Sequence, residues 1–209
     1  MPAERLHLVR HGEVFNPGRV LYGRLPGFGL SEDGRRMAAD AAAWVKDLDR
    51  PVTTLVCSPL QRTRESAEPF TATFGIKPRI DERVIEPTNV FEGRRMKRAM
   101  MNPLSWRHLS RPALPSWGEP YAQVISRMDA AMTNAWNDAD GGDVVIVSHQ
   151  LPIWITHLWV EGEPLRHDPR RRRCALSSVT SLEGGPGQWA EVSYAEPAST
   201  AGAVDVGAV

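Results

Sequence analysis

The sequence is short of the residues that staple or anchor a chain. Only two cysteines, Cys57 and Cys174, occur in 209 residues, too few for a disulfide framework. Cys57 lies in an apolar run, where a thiol behaves as a small buried hydrophobe, and a reducing, cytoplasmic setting is expected. No apolar run is long enough to span a bilayer; the longest, around 151–160, contains His157, so no membrane partner is expected. The N-terminal residues lack the apolar core of a signal peptide, because Glu4, Arg5 and His7 interrupt it. Net charge is also absent. Twenty-five basic and twenty-five acidic side chains cancel, which speaks against a nucleic-acid partner and leaves room only for a local basic pocket. No Cys/His/Asp cluster has metal-ligand spacing. His7 and His11 would stand ~13 Å apart along a strand, too far for one ion. No metal and no cofactor are expected.

What is present is an ordinary globular composition, 42% hydrophobic and 24% charged. One domain over residues 1–196 is expected, followed by a flexible tail over 197–209, where small residues offer little to bury. The apolar helix faces are compatible with core packing or with a homodimer. "RLHLVR" (5–10), "TTLVCS" (53–58) and "DVVIVS" (143–148) have strand character. The last is almost wholly apolar, as a strand covered on both faces must be. Ser31 opens a helix through Leu48, with Glu32 and Asp33 favoured by the dipole in its first turn. Ser58-Pro59-Leu60-Gln61 has the pattern of a capped helix start, running to about Phe74. A short strand is expected near 78–80 and a helix over "FEGRRMKRAMM". A structured loop or lid is expected over 102–121, with Trp106, Trp117 and Tyr121. Further helices are expected over 119–139 and from about Leu151, and two strands around "EGGPGQ" within 175–196. Strands alternating with helices imply a three-layer α/β/α sandwich with a mostly parallel sheet.

In such sheets ligands bind beyond the carboxyl ends of the strands. Three ends carry chemistry here: Arg10-His11-Gly12, Ser58 followed by Arg62, and Ser148-His149. A lone histidine at a strand end is more often structural than catalytic. The coincidence at three ends is harder to dismiss. Two guanidiniums match phosphate oxygens in bidentate forks, and helix N-termini after Ser58 and Ser148 aim N–H groups at the same anion. An imidazole among them can attack phosphorus, and nearby cations lower its pKa and keep it neutral. A second, protonated imidazole would stabilise the transferring oxygens. Gly12 would let the backbone turn close to the phosphate.

"LVRHGEVFN" resembles the signature of the histidine phosphatase superfamily, the phosphoglycerate-mutase-like fold, with Arg10, His11, Gly12, Glu13 and Asn16 in its positions. "CSPLQRTRESA" resembles the second motif, whose phosphate-binding arginine is Arg62 here. "VVIVSHQ" resembles the third, with His149. "YGRLPGFGLSEDG" resembles the connecting segment, with Gly23 at the substrate-contacting glycine and Tyr22 and Arg24 flanking it. The likeness runs from Leu6 to Tyr194. It implies a metal-independent phosphomonoesterase acting on a small phosphorylated metabolite. His11 would be the nucleophile. Arg10, Asn16, Arg62, His149 and Gln150 would bind phosphate. The proton donor would be the glutamate preceding an Glu-Gly pair, which in "DERVIEPTNVFEG" points to Glu86, with Glu82 as the nearby competitor and Glu13 and Glu92 behind. A mutase-like phosphotransferase and a non-catalytic phospholigand-binding protein are the alternatives. Gln150 replaces a common glycine and adds a side chain at the pocket. "RRRR" (170–173) is best explained as a solvated rim loop. Glu13 has no assigned task.

Overall fold

The computed structural model describes residues 1–103, 118–203 and 205. Its sheet has six strands: β1 (Arg5–Arg10), β2 (Val52–Cys57), β3 (Arg79–Ile80), β4 (Asp143–Ser148), β5 (Val179–Glu183) and β6 (Ala190–Ala195). They lie in the order β3-β2-β4-β1-β5-β6. β3, β2, β4 and β1 are parallel, whereas β5 and β6 are antiparallel additions to one edge. The three strands with chemistry at their ends are therefore adjacent, as β2-β4-β1.

Side-chain alternation divides each strand between two apolar layers. Val145 and Val147 of β4 join Val9, Leu55 and Cys57 on one face. There they meet Ala41, Ala42 and Val45 of α1 (Glu32–Lys46) and Ala67 and Phe70 of α2 (Gln61–Phe74). Val144 and Ile146 join Leu6, Leu8 and Leu182 on the other face. That face is covered by Val124, Met128, Ala131 and Met132 of α4 (Tyr121–Asp138) and Leu151, Ile153 and Ile155 of α5 (Gln150–Val160). The three-layer α/β/α sandwich results, with both faces of β4 dry. A short helix, α3 (Met96–Met100), lies within the segment expected to be helical. Trp106 and Trp117 of the expected lid lie outside the described residues; Tyr121 opens α4.

Ser31 caps α1 as expected, accepting from the Gly34 N–H at 2.9 Å. Ser58 does not cap α2. That helix starts at Gln61, with Leu60 at the cap and no side-chain bond there; the Ser58 hydroxyl lies 2.8 Å from His149 Nε2 and accepts only a long bond, 3.5 Å, from Leu60 N. His7 is fully buried, its Nδ1 2.9 Å from Ser181 Oγ and its Nε2 3.2 Å from Asp143 Oδ2.

Glu13 acquires a task. Its carboxylate accepts from Ser31 Oγ at 2.6 Å, and its carbonyl from Ser31 N at 2.9 Å. Gly12 is needed for a different reason than a turn around phosphate. A Cβ there would stand 2.2 Å from the Gly34 carbonyl oxygen, and one at Gly34 would stand 2.0 Å from that of Glu13. Two backbones touch, so neither can yield. Gly34→Ala is expected to lower stability by about 1–3 kcal/mol, as overpacking does, read from the urea midpoint at unchanged slope.

Some described residues of the expected tail have packing partners. Ala198 is buried with Met37 and Leu176, and Ala203 packs against them. Beyond it, Asp205 reaches Arg10.

Candidate active site

Arg10, His11, Ser58, Arg62, Ser148 and His149 are all buried at the carboxyl ends of β1, β2 and β4. The His11 and His149 rings lie 5.3 Å apart at 64°, with Arg62 bonded to both. Its Nε donates to His11 Nε2 at 3.3 Å, and its Nη2 lies 3.2 Å from His149 Nδ1 and donates to the Gly23 carbonyl at 2.8 Å. The Tyr22 ring supports the guanidinium from its face, 4.7 Å away. α2 is tied to the loop that follows His11 by Ser66, whose Oγ accepts from Gly12 N at 3.1 Å.

These contacts set the tautomers. His11 Nδ1 is 2.8 Å from the Gly12 carbonyl. A carbonyl only accepts, so Nδ1 holds the proton and Nε2 keeps its lone pair. At His149, Nδ1 accepts from Arg62, so Nε2 donates to Ser58 Oγ at 2.8 Å. Burial, reinforced by the Arg62 charge, holds both imidazoles well below their ordinary pKa. His149 is thus neutral in the free site.

Glu86 is buried 3.9 Å from His149 Nδ1 through Oε2, and its Oε1 has no partner among the described residues. Burial pushes its pKa above the ordinary carboxylate value, against the pull of Arg62 and Arg172. Glu82 is exposed. Glu92 braces the neighbouring turn: its Oε1 accepts from the N–H groups of Arg24 and Asn89 at 3.1 and 3.2 Å. A Cβ on Gly23, whose φ is +40°, would collide with that carboxylate.

The other expected ligands are more varied. Arg24 Nε donates to the Glu86 carbonyl at 2.5 Å. Asn16 closes its own loop, with reciprocal bonds to Val20 O and N at 2.8 and 3.2 Å. Gln150 Oε1 accepts from Arg172 at 3.3 Å.

The model of the histidine phosphatase superfamily, branch 1, matches residues 6–197. The chain belongs to this superfamily. A Mycobacterium tuberculosis relative, the uncharacterized protein Rv0525, is 47% identical over 204 residues, covering 95% of this chain and all of the relative. A probable phosphoglycerate mutase GpmB of Erwinia tasmaniensis is 28% identical over 184 residues, 84% of each chain. Among solved structures, the mycobacterial glucosyl-3-phosphoglycerate phosphatase Rv2419c superposes with a TM-score of 0.73 at 24% identity, covering 90% of this chain and 97% of that one. Bacillus stearothermophilus YhfR gives 0.74 at 23%, covering 90% and 95%. These structural likenesses speak for the fold.

Against this superfamily background, three site residues escaped the sequence reading. Ser58 has a cap-like pattern that hides its contact with His149. Arg172 belongs to a run that resembles solvated charge. Instead its Nε donates to His167 Nε2 at 2.9 Å, and it lies close enough to Glu86 to oppose that group's raised pKa. Arg173 leaves the site, pairing with Glu191 beside His157. Asp205 lies in the stretch expected to be free. No helix among the described residues is long and apolar enough to cross a membrane.

Proposed function

We propose that this superfamily member is a metal-independent phosphomonoesterase that passes the phosphoryl group through His11. The observation that carries the reading is the His11 tautomer: a neutral ring, its Nδ1–H held by the Gly12 carbonyl, with the Nε2 lone pair beside Arg62. In the first step Nε2 attacks phosphorus, displacing the long Arg62 contact. The bond to the leaving oxygen breaks, and the proton of Glu86 passes to that oxygen. In the second step the Glu86 carboxylate takes a proton from water as its oxygen attacks the phosphohistidine. The N–P bond breaks and the lone pair returns to Nε2. Arg10 and Arg62 hold the equatorial oxygens, supplying positive charge and donors that many phosphatases obtain from metal ions, and the neutral His149 ring, 5.3 Å from that of His11, fixes Arg62 in place. A small phosphorylated metabolite is the expected substrate.

The resemblance to proteins named probable phosphoglycerate mutase supports a second reading. In it an alcohol, rather than water, receives the phosphoryl group. A purely phosphate-binding role is disfavoured, since binding alone needs no nucleophile.

The test is hydrolysis of p-nitrophenyl phosphate with and without EDTA, alongside phosphoglycerate isomerisation with and without 2,3-bisphosphoglycerate. EDTA-insensitive hydrolysis is the expected result. Loss of activity in EDTA would overturn metal independence, and isomerisation stimulated by the bisphosphate would favour the mutase.

A further inference from the structure

Arg10 is fully buried, yet its fork is only partly used. Nη1 donates to the Cys174 carbonyl at 2.6 Å and to Asp205 Oδ2 at 2.8 Å; Nη2 donates to Asp205 Oδ1 at 2.5 Å. Asp205 therefore grips the end of the guanidinium, where Nη1 and Nη2 point the same way. Among the described residues, three of the five N–H groups are spent. The two without a partner there are Nε–H and the second hydrogen of Nη2, which share the guanidinium's side edge. Nε is buried without a hydrogen-bond partner among the described residues, a costly state unless a ligand completes it. The free edge is itself a planar two-donor fork of the kind that matches two phosphoryl oxygens.

We infer that Asp205 is a positioning residue, which clamps the end of Arg10 so that its Nε/Nη2 edge is presented to the phosphoryl group. This inference rests on the phosphatase reading of the same site. The clamp also explains why a small-residue tail docks at all. Ala198 and Ala203 seat against Met37 and Leu176, bringing Asp205 to a guanidinium nearly two hundred positions earlier in the chain. Arg10 cannot be set by packing alone, because a buried cation with one carbonyl partner would be poorly satisfied. The competing idea is that the carboxylate imitates phosphate and blocks the site. It would occupy the free edge, whereas Asp205 occupies the other one.

The two ideas predict opposite signs. The test uses the full chain and its Asp205→Ala and Asp205→Glu variants, at a temperature where each is folded. Inorganic phosphate binding is measured by calorimetry, and kcat and KM with p-nitrophenyl phosphate. Asp205→Ala is expected to weaken phosphate binding and raise KM, each by about tenfold, since a mobile guanidinium must be ordered on binding. Asp205→Glu should recover a large part of both. Tighter phosphate binding or a lower KM in Asp205→Ala would show a blocking carboxylate and overturn the inference. Unchanged values, or a fall in kcat alone as expected from partial unfolding, would overturn it too. A wild-type chain that neither binds phosphate nor hydrolyses the ester would remove the phosphatase reading and this inference together. Wild-type turnover matched by Asp205→Ala would remove only the clamp.

Discussion

His11→Ala is expected to abolish hydrolysis of p-nitrophenyl phosphate, with a loss of at least about 10⁴-fold in kcat, comparable to removal of a nucleophile elsewhere. In the proposed mechanism the residue is not merely one more phosphate ligand. Without Nε2 the phosphoryl group has no first acceptor, and Arg10 and Arg62 can only hold the ester. Rapid quench with ³²P-labelled substrate, followed by base treatment that spares phosphohistidine, should label the wild type and not the variant. Retained activity in His11→Ala would end the phosphohistidine reading. The pH profile carries the same information. His11 must be neutral to attack, so activity rises with pH as its proton leaves. Burial, then Arg62 and Arg10, hold that pKa well below the usual imidazole value. The acidic limb therefore lies well below it also. Measured kcat/KM, which reports the free enzyme, should show no His11 limb at a pH where a free imidazole is still largely protonated.

Glu86→Gln has the second largest expected effect, and it depends on the leaving group. An alkoxide needs a proton as its bond to phosphorus breaks, so hydrolysis of an alkyl phosphate should fall by about 10²–10⁴-fold. Nitrophenolate leaves without one, so the phosphorylation step with p-nitrophenyl phosphate should be far less affected. The sign of the pH dependence is opposite to that of His11. Glu86 must be protonated, so alkyl phosphate turnover is fullest at low pH and declines as pH rises through its folded pKa. Burial pushes that value above the ordinary carboxylate range, outweighing Arg62 and Arg172. Glu86→Gln should remove this alkaline limb. Equal losses in the phosphorylation step of both substrates, read from single-turnover kinetics, would instead indicate damage to phosphate binding. The variant is expected to fold at least as stably as the wild type, because Glu86 Oε1 is buried without a partner among the described residues.

Much of the scaffold is legible in the sequence. The unbroken apolar run Val144–Val147 requires cover on both faces, and the helices flanking it provide that cover. The positions at strand ends followed from the same pattern. Local signals failed where a side chain had a distant partner. Ser58-Pro59-Leu60-Gln61 satisfies every rule for a helix cap, but a neutral His149 offers the hydroxyl a buried bond instead. Arg170 to Arg173 are identical letters with different fates. Arg170, Arg171 and Arg173 are exposed, the last pairing with Glu191, whereas Arg172 is part-buried and near enough to Glu86 to feel its charge.

The sequence by itself determined the superfamily, the sandwich, and the residues Arg10, His11, Arg62 and His149 that stand together. Strand periodicity and the placement of polar residues at strand ends are local properties, and local properties are written along the chain. Tertiary structure alone decided which nitrogen of His11 keeps its lone pair, why the Glu86 pKa is raised, and what Gly12 makes room for. It also decided what Glu13 holds and what reaches Arg10 from the tail. Each depends on burial or on a partner far away in sequence: the Gly34 backbone against Gly12, Arg62 against two histidines, and Asp205 against a guanidinium with one edge still open.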